Sequence, residues 1–391
     1  IWKDGKAMIT FRILKKALRS RARLGIMATP HGAVETPAMV GVATQAALKC
    51  LTHDEIPLTK TQILIANTFH LHLRPGEQLI GRAGGLHKFS GIPVPLMTDS
   101  GGYQVFSLGF GRDTKTGKIA KTAHKDAEAS VGRGAQPKNI KITPDGVRFH
   151  SPIDGREIFI GPKESIRIQQ KLGGDIMFTF DECTSPFVSR SYIEHALRQN
   201  HRWAENSLKA RSTDQALFGI VHGSRFRDLR RASANFINGL GFDGFGIGGD
   251  LGDVTQEKRT MINILRWTTP LLDETKPRHL LGIGLIEDME RIVKEGIDLF
   301  DCTEPTRAGR HGIAYTRAGR IDLSKAIFLG DKKPLDPQCS CGVCAAYKRN
   351  YLAHLIRAGE ITGLRHLSFH NLYFFNSAVE KIREKIKKGR M

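Results

Sequence analysis

Eight short apolar runs, each parted from the next by a helical stretch or a long loop, constrain this chain more than any other feature. They are "PAMVGVA" (38–44), "QILIAN" (62–67), "VPLMTD" (94–99), "DIMFTFD" (175–181), "ALFGIVH" (216–222), "DGFGIGG" (243–249), "HLLGIG" (279–284) and "IDLFD" (297–301). Most are apolar or small at nearly every position, so they lack the alternation of a strand with one wet face. Continuous runs of this kind suit strands buried on both faces of a parallel sheet. Between several of them lie segments with helical spacing: "ESIRIQQKLG", "SYIEHALRQNHRWAENSLKAR", "RDLRRASANFINGLG" and "IEDMERIVKEG". Gly often stands at the end of such a segment, as a helix stop does. Eight strands over about 265 residues match a (β/α)8 TIM barrel in number and length. An open doubly wound sheet is the rival, and no GxGxxG follows the first run to support it.

The ends of these runs are polar: Asn67, Asp99, Asp181, His222, Gly249, Gly284 and Asp301. In a barrel the C-terminal strand ends converge on one mouth, where active sites lie. One Asp after a strand often only caps the following helix. Three carboxylates and a histidine at such ends point instead to one polar pocket.

Charge narrows the partner. The chain carries 59 Lys+Arg against 39 Asp+Glu, a net charge of +20, with 40% hydrophobic residues. That combination describes a folded protein with a polyanionic partner. No apolar run reaches the ~18 residues needed to span a bilayer. The basic start "FRILKKALRSRARLG" has the composition of a transit peptide, but it runs straight into strand-like sequence and reads as part of the fold. Residues 109–139 break the rhythm. They are polar and rich in Lys and Gly, with seven Lys or Arg against three Asp or Glu. We read them as a basic loop inserted between the third and fourth strands, facing that polyanionic partner, for which nucleic acid is the expected class.

Near the C-terminus, Cys339, Cys341 and Cys344 form a CxCxxC, and the other cysteines (Cys50, Cys183, Cys302) are scattered. This is not a secreted disulfide framework; it fits a reducing, cytoplasmic setting. Three thiolates and a histidine are a soft ligand set that suits one Zn2+ in a closed, structural tetrahedral site. His370 follows a helical stretch that carries the chain away and back, and is the fourth ligand we expect; His354 and His366 compete for the place.

The motifs "DSGGYQVFSL" (99–108), "FDECT" (180–184), "GFGIGGDLG" (244–252), "GIDLFDCTEPTRAGRHG" (296–312) and "CSCGVC" (339–344), with "HLIRAGE" and "FHN" after them, are long and specific, and the resemblance they carry extends over nearly the whole chain apart from 109–139. In these the sequence resembles the bacterial-type tRNA-guanine transglycosylases. The resemblance implies a zinc-containing TIM barrel that exchanges guanine at the tRNA wobble position for a 7-deazaguanine base, 7-aminomethyl-7-deazaguanine or queuine, and acts as a homodimer in the cytoplasm. It divides the chain into a TIM-barrel catalytic domain (1–335) and a zinc-binding subdomain with the C-terminal helix (336–391).

Site roles follow from the same resemblance. Asp301 would attack C1′ and form a covalent ribosyl-aspartate, and Asp99 would be the general acid/base. The base would lie among Asp99, Ser100, Gly101, Gly102, Tyr103, Asp181, His222, Gly248, Gly249 and Leu281. The RNA would meet Gly282, Ile283, Gly284, Leu285, Ile286, Glu287 and Asp288 on one loop and Thr306, Arg307, Ala308, Gly309 and Arg310 on another. Chemistry agrees with this assignment. Exchange through an oxocarbenium-like transition state needs one carboxylate as nucleophile and another group for proton transfer. No nucleotide cofactor is required, and no GxxxxGK[ST] phosphate loop is present.

The chain departs from the family at three positions. His222 stands in "VHGS" where the family has Gln, Asp250 follows Gly249 where the family has Leu, and Gly252 stands where many members have Val. An added carboxylate favours a cationic aminomethyl group, whereas the smaller residue widens the pocket for queuine, so base identity stays open. His222, Asp250 and the basic insertion also leave room for deazaguanine exchange into DNA. A non-catalytic RNA-binding subunit should lack the carboxylate pair that is present here.

Overall fold

The computed structural model describes residues 9–106, 140–185, 188–249 and 258–391. The expected insertion at 109–139 lies outside them, as do Asp250 and Gly252. Eight parallel strands close into a barrel: β1 (Ala38–Val42), β2 (Leu64–Ala66), β3 (Leu96–Thr98), β4 (Ile176–Phe178), β5 (Ala216–Val221), β6 (Gly244–Ile247), β7 (Arg278–Leu280) and β8 (Leu299–Asp301). Seven fall within the apolar runs, and β7 begins one residue before its run, at Arg278. Closure is made by β8 on β1, with Leu299 opposite Ala38 and Asp301 opposite Val40.

Alternation along each strand separates two cores. Val40, Ile65, Met97, Ile176, Phe178, Phe218, Ile220 and Leu299 pack together inside the barrel. Their neighbours Met39, Leu64, Leu96, Met177, Leu217 and Phe300 join the larger core between strands and helices. Both faces are dry, which is why the runs read as continuous. The same alternation aims side chains at the mouth. Asp301 shares the parity of Leu299, and Asp99 that of Met97, so both carboxylates continue the inward rows.

Helices Pro162–Leu172, Arg190–Ala210, Arg227–Asn238 and Ile286–Lys294 occupy the segments expected to be helical. The first ends at Gly173 in the left-handed conformation (φ 70°), and the second starts on Ser189, whose hydroxyl accepts from the Tyr192 N–H. The 27-residue C-terminal helix Ile361–Lys387 joins two regions. Leu367 and Phe369 pack near the cysteines, while Phe375, Val379, Ile382 and Ile386 belong to the main barrel core.

Two three-stranded antiparallel sheets go beyond the sequence reading, as does the two-stranded pair Ile313–Thr316 and Gly319–Asp322. One, formed by Thr10–Lys16, Arg23–Thr29 and Gly32–Thr36, lies at the N-terminal end of the barrel. Met27 and Val34 enter the inner core there, and the buried Arg23 clasps Asp298 through Nε at 2.8 Å and Nη2 at 2.6 Å. The basic start is thus part of the fold. The other, formed by Ile140–Thr143, Gly146–His150 and Glu157–Ile160, lies between β3 and β4 and shares a small core with Phe69, Phe180 and Trp203. No helix among the described residues is long and apolar enough to cross a membrane.

Candidate active site and metal cluster

Three carboxylates meet at the mouth in different settings. Asp99 follows β3, and its Oδ1 accepts from the Thr68 N–H at 2.9 Å and the Gly101 N–H at 3.1 Å. Asn67 Nδ2 donates to Oδ2. Burial nevertheless pushes the Asp99 carboxyl up to about 7; the two N–H groups oppose the shift, and the charges of Asp301 and Asp181 add to it. Asp301, on the last position of β8, offers Oδ1 to His279 Nε2 at 2.9 Å and to the Gly282 N–H at 2.9 Å. Among the described residues its Oδ2 has no hydrogen-bond partner.

Asp181 is held by Ser100, whose hydroxyl donates to Oδ1 at 2.7 Å. His222 Nε2 lies 3.2 Å from Oδ2, close enough to pair but misaligned for a hydrogen bond. The backbone around these groups is fitted closely. A Cβ on Gly102 would lie 2.3 Å from the Asp181 carbonyl oxygen, so only Gly lets the 101–102 turn approach. Gly249 has φ 75° and would bring a Cβ within 2.8 Å of His222 Nδ1, so Gly is needed there on both counts. Gly248 lies against Leu281 Cδ1. Tyr103 stands on the rim with 40% of its surface exposed.

The two loops expected to meet RNA are partly inside the protein. On the first, Ile283, Gly284 and Asp288 are buried, while Gly282 and Glu287 are exposed and Leu285 and Ile286 half-buried. On the second, Thr306, Ala308 and Gly309 are buried and Arg307 and Arg310 reach the surface. Arg307 Nε donates to Glu304 Oε2 at 3.0 Å, and Arg310 Nε to the Thr306 carbonyl at 3.2 Å. The accessible surface therefore narrows to Gly282, Leu285, Ile286, Glu287, Arg307 and Arg310.

Cys339, Cys341, Cys344 and His370 converge, as their spacing suggests. Cys341 caps the short helix Gly342–Ala346, its Sγ accepting from the Cys344 N–H. The three sulfurs lie 3.9, 3.4 and 3.3 Å from His370 Nδ1. Tetrahedral ligation with ordinary Zn–S and Zn–N bonds places S and N about 3.6 Å apart, so the donor set fits such an ion. His370 Nε2 is 2.7 Å from the Tyr315 carbonyl. That contact fixes the proton on Nε2 and turns the Nδ1 lone pair toward the sulfurs. The rival histidines are elsewhere: His354 is exposed, and His366 lies against the Tyr347 ring, 4.4 Å between centroids. Tyr315 also links the cluster to the mouth, since its hydroxyl donates to Glu304 Oε1 at 2.9 Å in the helix after Asp301.

A family model described as queuine tRNA-ribosyltransferase matches residues 18–391. The chain belongs to that family. A queuine tRNA-ribosyltransferase of Halothermothrix orenii is 43% identical over 380 residues, covering 97% of this chain and 94% of the relative. One of Pelotomaculum thermopropionicum is 42% identical, covering 98% and 96%. One of Lactococcus lactis subsp. cremoris is 41% identical, covering 97% and 92%.

Within this family fold, the sequence reading missed two supports of the site. His279 reaches Asp301 from inside the barrel. Its only signal was parity: Leu280 joins the outer core, so the polar residue before it must point inward. Arg230 is fully buried and donates to the carbonyls of Ser224, Val221 and Gly248 at 2.7, 3.0 and 2.8 Å. It thereby ties the ends of β5 and β6 together beneath His222 and Gly249.

Proposed function

We propose that this protein exchanges guanine at the tRNA wobble position for a 7-deazaguanine base by double displacement on Asp301. The observation that carries the reading is the meeting of Asp99, Asp181 and Asp301 at one mouth, each in a different environment. Asp301 keeps Oδ2 open for attack on C1′. As the Oδ2–C1′ bond forms, the C1′–N9 bond breaks and its electron pair goes to the departing guanine. Asp99, with its carboxyl near 7, can give that base a proton and take one from the incoming base at neutral pH. The new N9 then attacks C1′ and Asp301 leaves as carboxylate.

Base recognition follows from donors and acceptors. The N1–H and amino group of a guanine-type base suit Asp181. Its O6 suits the Gly249 N–H and His222. Tyr103 offers a ring face for stacking and Leu281 an opposite apolar wall. Cys339, Cys341, Cys344 and His370 would hold one Zn2+, whose contribution is structural cross-linking rather than chemistry at the base. The reading extends to a cytoplasmic homodimer with a barrel domain (1–335) and a zinc subdomain (336–391).

His222, Asp250 and the basic 109–139 segment leave room for one second reading, exchange into DNA. Incubation with labelled guanine and either tRNA or duplex DNA separates them. Label in tRNA alone is expected; label in DNA alone would replace the reading, and label in neither would overturn base exchange.

A further inference from the structure

His279 is fully buried on β7, between Gly246 of β6 and Leu299 of β8 in the barrel register. Its Nε2 lies 2.9 Å from Asp301 Oδ1. Its Nδ1 is buried with no partner, and the Phe178 ring meets the imidazole nearly edge-on, 5.5 Å between centroids. An ionised carboxylate only accepts hydrogen bonds, so the proton sits on Nε2 and Nδ1 keeps a bare lone pair. A second proton at Nδ1 would find no acceptor. The ring is therefore a one-sided donor, fixed from below by the packed inner core.

We propose that His279 is a positioning residue that, with the Gly282 N–H, holds Oδ1 of Asp301 as a permanent acceptor, so that Oδ2 attacks and the carboxylate can leave again. The proposal rests on the covalent route through Asp301. When Oδ2 bonds to C1′, the negative charge is lost and Oδ1 becomes an ester carbonyl, a weaker acceptor. When the incoming base attacks C1′, the Oδ2–C1′ electron pair returns to Asp301 and the charge with it. Two donors already aimed at Oδ1 stabilise that returning charge without rearrangement. They slow the first displacement slightly and speed the second, so the adduct breaks down faster once a base is supplied.

Gln and Met at position 279 test this, because they match each other in length and shape while only Gln carries a donor. Adduct is trapped with tRNA, and its decay is followed after guanine is added. His279→Met should lengthen the adduct lifetime roughly ten- to hundred-fold, the worth of one hydrogen bond to a charged group, with KM for tRNA within two-fold of the wild type. His279→Gln should recover most of the loss. Equal decay in wild type and His279→Met, or a Gln variant as slow as Met, overturns the proposal. Absence of any adduct in the wild-type protein overturns the covalent route itself, and the proposal with it. A measurement without substitution guards against misfolding: in 15N-histidine spectra of the wild type, His279 should show protonated Nε2 and bare Nδ1, shifting when adduct forms. The opposite tautomer, or no shift, would also refute it.

Discussion

Replacing Asp99 by Asn removes one proton site while keeping the shape of the side chain. In the folded protein the Asp99 carboxyl sits near 7, against 3.8 for an ordinary Asp. Because the folded value is raised, the folded state keeps a proton that the unfolded chain gives up. The resulting stability is fully present below pH 4 and is lost as pH rises through 7. The whole span corresponds to ~4 kcal/mol, and about 2 kcal/mol of it falls between pH 5.5 and 8.5. The variant has no such term. Its amide will meet Asn67 Nδ2 as donor against donor, but that cost does not change with pH. Urea unfolding of both proteins across this range should give a wild-type-minus-variant difference that declines by ~2 kcal/mol as pH rises. Parallel curves would mean that Asp99 is already ionised at low pH, and the assignment of a group able to give and take a proton near neutrality would fail. The same group should produce a limb near pH 7 in the wild-type exchange rate.

The other predictions concern separate parts of the molecule. Asp301→Asn should abolish the denaturant-resistant adduct with tRNA while leaving tRNA binding intact; an equal adduct yield would move the nucleophile elsewhere. Cys341→Ala should lose metal and thermal stability together, because ligation energy is folding energy; metal removable by chelator with the fold and activity intact would refute a structural role. Replacing Arg307 and Arg310 by Ala should weaken tRNA binding and lower the slope of log affinity against log salt by ~0.7 per lost phosphate contact. An unchanged slope would make both arginines surface charges, with Arg307 serving only its pairing with Glu304.

The sequence by itself determined the barrel, because burial on both faces is written into consecutive residues: "ALFGIV" has no position that tolerates water, and all six residues are buried. It also determined the three sulfurs, since a CxCxxC turn brings them together locally. Strands such as "IKIT" and "GVRFH", in the sheet between β3 and β4, were not legible. They are short and partly exposed, and what fixes them is packing against Phe69, Phe180 and Trp203 from distant segments. The choice among three histidines was likewise tertiary. His354, His366 and His370 are chemically alike, and only the path of the C-terminal helix turns one of them toward the cysteines. So too with the mouth: the sequence marked Asp99, Asp181 and Asp301 as polar strand ends, but their unlike environments depend on what the closed barrel brings near each. Burial among neighbouring charges raises Asp99, Ser100 reaches Asp181, and His279 reaches Asp301 from the adjacent strand. Periodicity records which residues are buried, because burial acts on each residue in turn. It does not record which donor meets which carboxylate, because that is set by closure of strands far apart in the chain.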